Sequence, residues 1–193
     1  MSIIDDKQAL RREMRAKRRI FVDRLDITAG RFAFRALPSP VAKLLEGHSV
    51  AALYAPVGSE VPALRLADAL RRLGLSVALP IVSQDEGVMD FHLWRPEDDL
   101  VPGPFDIPQP PVSAPMADPD VIFTPLVAFD ATLARLGQGG GYYDRVFARY
   151  PDALRIGLAW SVQQVAHVPL ESWDYPLHFV LTERALIERE DAQ

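Results

Sequence analysis

The sequence predicts a single α/β domain spanning residues 1–193 with mostly parallel strands. Three observations predict it. Between Ser49 and Thr182, short apolar runs bounded by proline or glycine alternate with stretches of helical spacing, as parallel strands joined by crossover helices do. A length of 193 residues suits one domain. A chain that is 49% hydrophobic and 24% charged can build a real core and is not a disordered one.

The elements follow in order. Asp5–Leu25 lacks Gly and Pro and is rich in Ala, Arg, Lys, Leu and Met, which predicts a helix capped by Asp5 or Asp6. Leu10, Met14 and Phe21 give it a thin apolar stripe, and Lys7, Arg11 and Arg15 recur every four residues on one face. Thr28 is the expected cap of a second helix over Ala29–Leu37, with a short third one over Pro40–Leu45. Ser49–Tyr54 reads as a buried strand, Pro62–Leu73 as a helix stopped by Gly74, and Ser76–Leu79 as a strand ending at Pro80. Met89–Leu93 alternates like an edge strand. Seven of the 17 prolines fall between Pro102 and Pro119, which predicts an irregular connection over about 102–119. Val121–Pro125, Arg155–Ala159 and Phe179–Thr182 are further strands, Tyr142–Tyr150 is a helix, and the polar tail Glu188–Gln193 is expected to fray.

Composition excludes several function classes. Without cysteine there is no disulfide framework, thiolate zinc site or iron–sulfur cluster. His48, His92, His167 and His178 show no metal-ligand spacing, and no Gly-x-Ser-x-Gly elbow offers a nucleophile. No signal-like segment and no run of eighteen apolar residues is present, so a soluble, cytoplasmic chain without membrane partners is expected. Net charge is −5, unevenly placed: Lys7–Arg19 holds seven basic residues and one acid, leaving 14 basic and 25 acidic elsewhere. A basic helix on an acidic body predicts a local anion site rather than a nucleic-acid surface.

The most informative stretch runs from Asp120 through Val-Ile-Phe-Thr-Pro to Asp130, then through Arg135-Leu-Gly-Gln-Gly-Gly-Gly-Tyr-Tyr-Asp144-Arg145. A buried strand leads into a glycine cluster at which a helix opens. Such a loop can turn backbone N–H groups toward a phosphate, with the helix N-terminus adding partial positive charge. It is neither a P-loop nor a dinucleotide fingerprint, because no Gly-Lys-Ser/Thr follows and Tyr142 stands at the last glycine position. A tight turn for close packing is the plain structural alternative.

The glycine block, with Pro125-Leu-x-Ala-Phe-Asp130 before it, resembles the signature of the 5-formyltetrahydrofolate cyclo-ligase (methenyltetrahydrofolate synthetase) family. Lys7-x-x-x-Arg11, Tyr54-x-Pro-x-Gly-x-Glu60, Leu79-Pro80, Met89-x-Phe-x-x-Trp94, Pro169-x-Glu-x-x-Asp174 and Val180-Leu-Thr-Glu183 fall in that family's order, from Lys7 to Glu183. The resemblance implies a Rossmann-like three-layer sandwich. It also implies magnesium- and ATP-dependent cyclisation of 5-formyltetrahydrofolate, a reduced folate, to 5,10-methenyltetrahydrofolate, with ADP and phosphate released. It implies ATP binding by Lys7, Arg11, Arg135, Leu136, Gly137, Gln138, Gly139, Gly140, Gly141, Tyr142 and Tyr143. Arg135 and Tyr143 are the expected catalytic residues, Glu60, Gly139, Gly141 and Tyr142 the substrate contacts, and Asp144 and Asp174 the magnesium ligands.

Three positions depart from the family pattern. Gln138 stands where relatives often carry Arg, and Gly140 where some carry Lys, so Arg135 and Arg145 are expected to supply more of the loop's charge. Leu133 stands where glycine is usual, which puts the local turn in question. Trp94 and Trp160 are candidate pocket walls. Small-molecule partners and a monomer are expected. The alternatives are a phosphate-binding sugar isomerase or acyl transferase on a similar scaffold, told apart by ADP release, and a catalytically silent folate- or nucleotide-binding protein.

Overall fold

The structure, a computed structural model, describes residues 3–83 and 87–189. Helix α1 (Ile3–Asp23) begins two residues before the expected caps, so Asp5 and Asp6 sit in its first turn, where their charge suits the helix dipole. Helix α2 (Ile27–Phe32) is capped by Asp26, not Thr28: Asp26 Oδ1 accepts from the amides of Thr28 and Ala29 at 2.8 and 3.0 Å. It stops well short of Leu37 because Phe34 takes φ +57° to press its ring edge-on against Trp160. Helix α3 (Ser39–Leu44) follows.

Strand β1 (Val50–Ala52) leads through a 3-10 turn (Ala63–Leu66) into α4 (Ala67–Arg72), which ends at Gly74 with φ +90°. Strand β2 (Ser76–Val82) runs through Pro80, beyond the expected end, and pairs with β3 (Met89–Leu93). Pro80 is tolerated because it falls at a position of the antiparallel ladder that forms no bond to β3, and β1 has already ended on its other side. The proline-rich segment is mostly irregular, with two two-residue strands, β4 (Val101–Pro102) and β5 (Pro108–Gln109).

Strand β6 (Val121–Pro125) matches expectation and is followed by a hairpin that sequence pattern missed, β7 (Ala128–Phe129) with β8 (Arg135–Leu136). Helix α5 (Tyr142–Arg149) opens directly after the glycine cluster. Strands β9 (Leu154–Leu158), β10 (Phe179–Leu181) and β11 (Leu186–Glu188) complete the fold. Of the tail expected to fray, Glu188 closes β11, and residues 190–193 lie outside the described residues.

The seven-stranded sheet has the order β11-β10-β9-β6-β1-β2-β3, with parallel pairing throughout its centre and antiparallel pairing only at the two edge strands. Alternation along each strand sends Leu53, Val77, Leu79, Phe123 and Ile156 to the face covered by α3 and α4. The small residues Ala52 and Ala78, with Ile122, face Val146 and Phe147 of α5 on the other side. That is a three-layer sandwich. Among the described residues no helix is long and apolar enough to cross a membrane.

Helix α1 lies outside these layers. Met14, fully buried, and Leu10 pack against Val127, Ala128, Ala134 and Leu136 of the β7–β8 hairpin, while Phe21 reaches Trp160. This docking brings the basic stripe of α1 alongside the loop between β8 and α5.

Candidate active site

A cavity of about 1180 Å3 opens at the carboxyl ends of β1, β2 and β6, marked by Tyr54, Pro80 and Pro125. This is where an open parallel sheet presents its loops. One wall is α1, a second the loop 137–141, and a third the β2–β3 pair with Pro104–Gln109. Every residue expected to bind ATP, folate or magnesium lines it: Lys7, Arg11, Glu60, Arg135, Leu136, Gly137, Gln138, Gly139, Gly140, Gly141, Tyr142, Tyr143, Asp144 and Asp174.

The loop is shaped for an anion. Gly139 and Gly141 hold φ of +109° and +66°, conformations that a side chain resists. The amides of Gly139, Gly140 and Gly141 donate to no group among the described residues, and the unsatisfied first turn of α5 follows immediately. Cations stand opposite. Arg11 Nε donates to the Gly137 carbonyl at 2.9 Å, and Arg15 donates to the Gln138 side-chain and backbone oxygens at 2.7 and 3.2 Å.

Lys7 Nζ sits between Glu171 (2.7 Å) and Asp174 (2.6 Å), with only 8% of its side chain exposed. Desolvation pulls its pKa down, but hydrogen bonds and charge from Asp174 and Glu171 outweigh that, and the net shift is upward. Arg135 is buried, paired with Asp144 Oδ1 at 2.7 Å, and lies over the rings of Tyr143 and Phe147. Its Nε has no hydrogen-bond partner among the described residues.

Glu60 accepts from Gln138 Nε2 at 2.6 Å and from the Val57 amide at 3.0 Å, with Arg18 at 3.9 Å. Desolvation first, then the Glu60 charge, pushes the Tyr143 hydroxyl well above its ordinary range, so it stays protonated and able to donate.

Some expectations need correction. Arg145 does not line the cavity. It braces the loop from behind, donating to the Gly140 and Gly87 carbonyls at 3.1 and 3.0 Å and stacking on Tyr142. Trp94 and Trp160 are buried away from it as core, their indole N–H groups bound to the Asp98 and Ser59 carbonyls. Arg15 and Arg18, which extend the Lys7–Arg11 face, also line the cavity, as does Glu171, which the sequence did not single out as a site residue. The spacing Lys7, Arg11, Arg15, Arg18 carried the signal for the first two, since all four lie on one helical face. Glu171 becomes visible only through its pairing with Lys7, 164 residues away.

Fold and site together define an α/β domain whose cavity lies between a basic helix and a glycine-rich loop, with Glu60 on a further wall. The comparisons give the particular family. The model of the 5-formyltetrahydrofolate cyclo-ligase family matches residues 3–183, and the chain belongs to that family. It is 34% identical over 137 residues to the 5-formyltetrahydrofolate cyclo-ligase of Haemophilus influenzae, covering 67% of this chain and 73% of that one. The enzyme of the same name from Escherichia coli is 34% identical over 142 residues, covering 70% and 78%. The NMR structure of Aquifex aeolicus 5,10-methenyltetrahydrofolate synthetase, 26% identical, superposes with a TM-score of 0.74 over 97% of this chain and 94% of that one.

Proposed function

We propose that this protein cyclises 5-formyltetrahydrofolate to 5,10-methenyltetrahydrofolate at the expense of ATP, releasing ADP and phosphate. The observation that carries this reading is the convergence of two unlike subsites in one cavity. Lys7, Arg11, Arg135 and the free amides of Gly139–Gly141 suit a polyphosphate. Glu60, flanked by Gly139, Gly141 and Tyr142, suits the N–H donors of a flat pterin.

A formamide oxygen is a poor leaving group. In the proposed reaction it attacks the γ-phosphorus, the bond to ADP breaks, and the resulting formyl phosphate ester is electrophilic enough for the neighbouring amine to attack. The amine loses its proton, phosphate departs and the methenyl bridge remains. The protein's part is positioning and charge stabilisation. Arg135 balances charge on the transferring group, and the protonated Tyr143 hydroxyl donates to an oxygen of the reacting ester. Leu136, Gly137, Gln138 and Tyr142 complete the wall.

The donor set fits magnesium arriving with the nucleotide. No group of three potential ligands exists among the described residues. Asp144 and Asp174 each engage a basic residue, and Asp144 Oδ2 has no partner among the described residues. Magnesium is commonly held in this way, by one or two carboxylates plus phosphates and water. Asp144 and Asp174 would hold the ion, which when bound neutralises phosphate charge. The same reading makes the chain one domain acting as a cytoplasmic monomer, without nucleic acid or membrane. Its support is one cavity that gathers residues from Lys7 to Asp174, and a net charge of −5.

The test is turnover of 5-formyltetrahydrofolate with and without magnesium ATP, read by the near-ultraviolet absorbance of the methenyl product in acid with ADP counted in parallel. Equal, ATP-dependent appearance of both products is expected. Folate binding without product would replace this reading with that of a silent binder. Asp144→Ala is expected to shift the magnesium dependence to higher concentration, and an unchanged titration would remove Asp144 from the metal site.

A further inference from the structure

Building on the reading just given, we propose that Trp173 is the stacking platform for the base of the bound nucleotide. The triphosphate then runs along α1 from Lys7 toward Arg15, with its terminal phosphate nearest Arg18 and Glu60. Of the three tryptophans, Trp94 and Trp160 are 7% and 3% exposed, whereas Trp173 lines the cavity with 62% of its surface open. An indole left uncovered forgoes roughly 2 kcal/mol of burial, so its place on the cavity rim calls for a partner with a flat apolar face.

The backbone that carries the indole is held in place before any ligand arrives. The turn that carries it is closed by the Asp174 amide on the Glu171 carbonyl at 3.0 Å and the Glu171 amide on Asp174 Oδ2 at 2.8 Å. Lys7 then ties both carboxylates to α1. Little backbone freedom remains for base binding to remove.

The order of residues along α1 sets the direction. Ile4, Lys7, Arg11, Arg15 and Arg18 all line the cavity, and Ile4, 57% exposed, stands one turn before Lys7. From Lys7 to Arg15 the helix rises about 12 Å at 1.5 Å per residue, comparable with an extended triphosphate and its ribose. The phosphoryl group must leave beside the folate subsite, which Glu60 and Arg18 mark at the far end of this stripe. The base is thereby assigned to the near end, where Trp173 and Ile4 provide the apolar surface. The other apolar wall, Val82, Met89 and Ile107, belongs to the β2–β3 side.

The test compares magnesium ATP with magnesium tripolyphosphate, which has the phosphates and no base. In the wild type, ATP should quench and blue-shift the emission of the exposed indole, and tripolyphosphate should compete with ATP while leaving that emission nearly unchanged. Trp173→Ala should raise the Kd for ATP about tenfold, Trp173→Phe less than threefold, and neither should alter tripolyphosphate binding. An ATP affinity within twofold of wild type in Trp173→Ala, or equal weakening of ATP and tripolyphosphate, overturns the stack alone. A folded wild type that binds neither compound overturns the stack together with the functional reading beneath it.

Discussion

Lys7 concentrates the site's electrostatics in one residue, a nearly buried ammonium between two carboxylates that are themselves 20% and 14% exposed. Because its pKa is raised, its stabilising contribution is fully present below the ordinary lysine range and is lost only as pH rises through the raised value. At neutral pH the clamp is intact. Lys7→Met is expected to lower unfolding free energy by about 3 kcal/mol, since Glu171 and Asp174 would be left buried without a counter-charge. The same variant should raise the KM for ATP, so denaturant melts and ATP kinetics are needed together. Leu133 presents a different balance. Its φ of +60° is where a glycine would rest without strain, yet its side chain is fully buried. Relief of the left-handed strain is worth about 1–2 kcal/mol, whereas emptying a buried leucine site costs about 3–5 kcal/mol. Leu133→Gly should therefore be less stable than wild type by about 2 kcal/mol in urea, and a gain in stability would show that strain dominates the turn.

Among the elements, the glycine loop is tied to its surroundings chiefly by Gln138. Its amide oxygen takes Arg15 while its amide nitrogen gives to Glu60, so a neutral side chain bridges a cation and an anion and leaves both charged. Gln138→Glu would set a second carboxylate against Glu60. The expected result is an outward shift of the loop and a folate KM raised about tenfold, the equivalent of roughly 1.4 kcal/mol, with little change in melting temperature. Steady-state kinetics at saturating ATP would check it. The basic stripe of α1, the strand β6 and the start of α5 were legible in the sequence because each rests on local periodicity or local turn chemistry. The β7–β8 hairpin was not, since two-residue strands leave no alternation to read and its turn depends on Asp130 Oδ1 collecting the amides of Thr132 and Ala134. Nor was the fate of Arg145, expected to supply charge to the loop in place of cations missing at 138 and 140, but whose partners, Gly87 and Gly140, are set by tertiary contact. Likewise β11, Leu-Ile-Glu, is too short to show alternation, and pairing with β10 makes it a strand.

For the whole molecule, the sheet contains its own pH dependence. His178 and Arg155 join β9 to the start of β10 by reciprocal bonds: the His178 amide donates to the Arg155 carbonyl at 2.9 Å, and the Arg155 amide donates to His178 Nδ1 at 3.0 Å. Desolvation, then the Arg155 charge, lowers the His178 pKa, because protonation would take the acceptor away and add a second cation. A depressed folded-state value means stability is present above the unfolded-state histidine pKa of about 6.5 and is lost as pH falls below it toward the folded-state value. His178→Asn keeps an acceptor but does not titrate, so its urea midpoint should fall less than that of the wild type between about pH 7.5 and pH 5.5. Parallel curves for the two proteins would assign the acid sensitivity elsewhere. The continuation of β2 past the end of β1 has a consequence of its own. Among the described residues, the strand beyond Ala78 pairs with β3 alone, and the Val82 amide reaches only the Gln109 side chain at 3.4 Å. The wall carrying Pro80, Val82 and Met89 therefore projects past the parallel sheet as a two-stranded arm, held from the side by side chains of α5, Arg145 on the Gly87 carbonyl and Arg149 on Asp90. The opposite wall is bolted to α1 by Lys7 and Met14. Deformation on ligand entry should concentrate in the two-stranded arm, whose ties to α5 are exposed side-chain contacts, so that one side of the cleft yields to the bulk of the arriving substrate while the other keeps the phosphates in register.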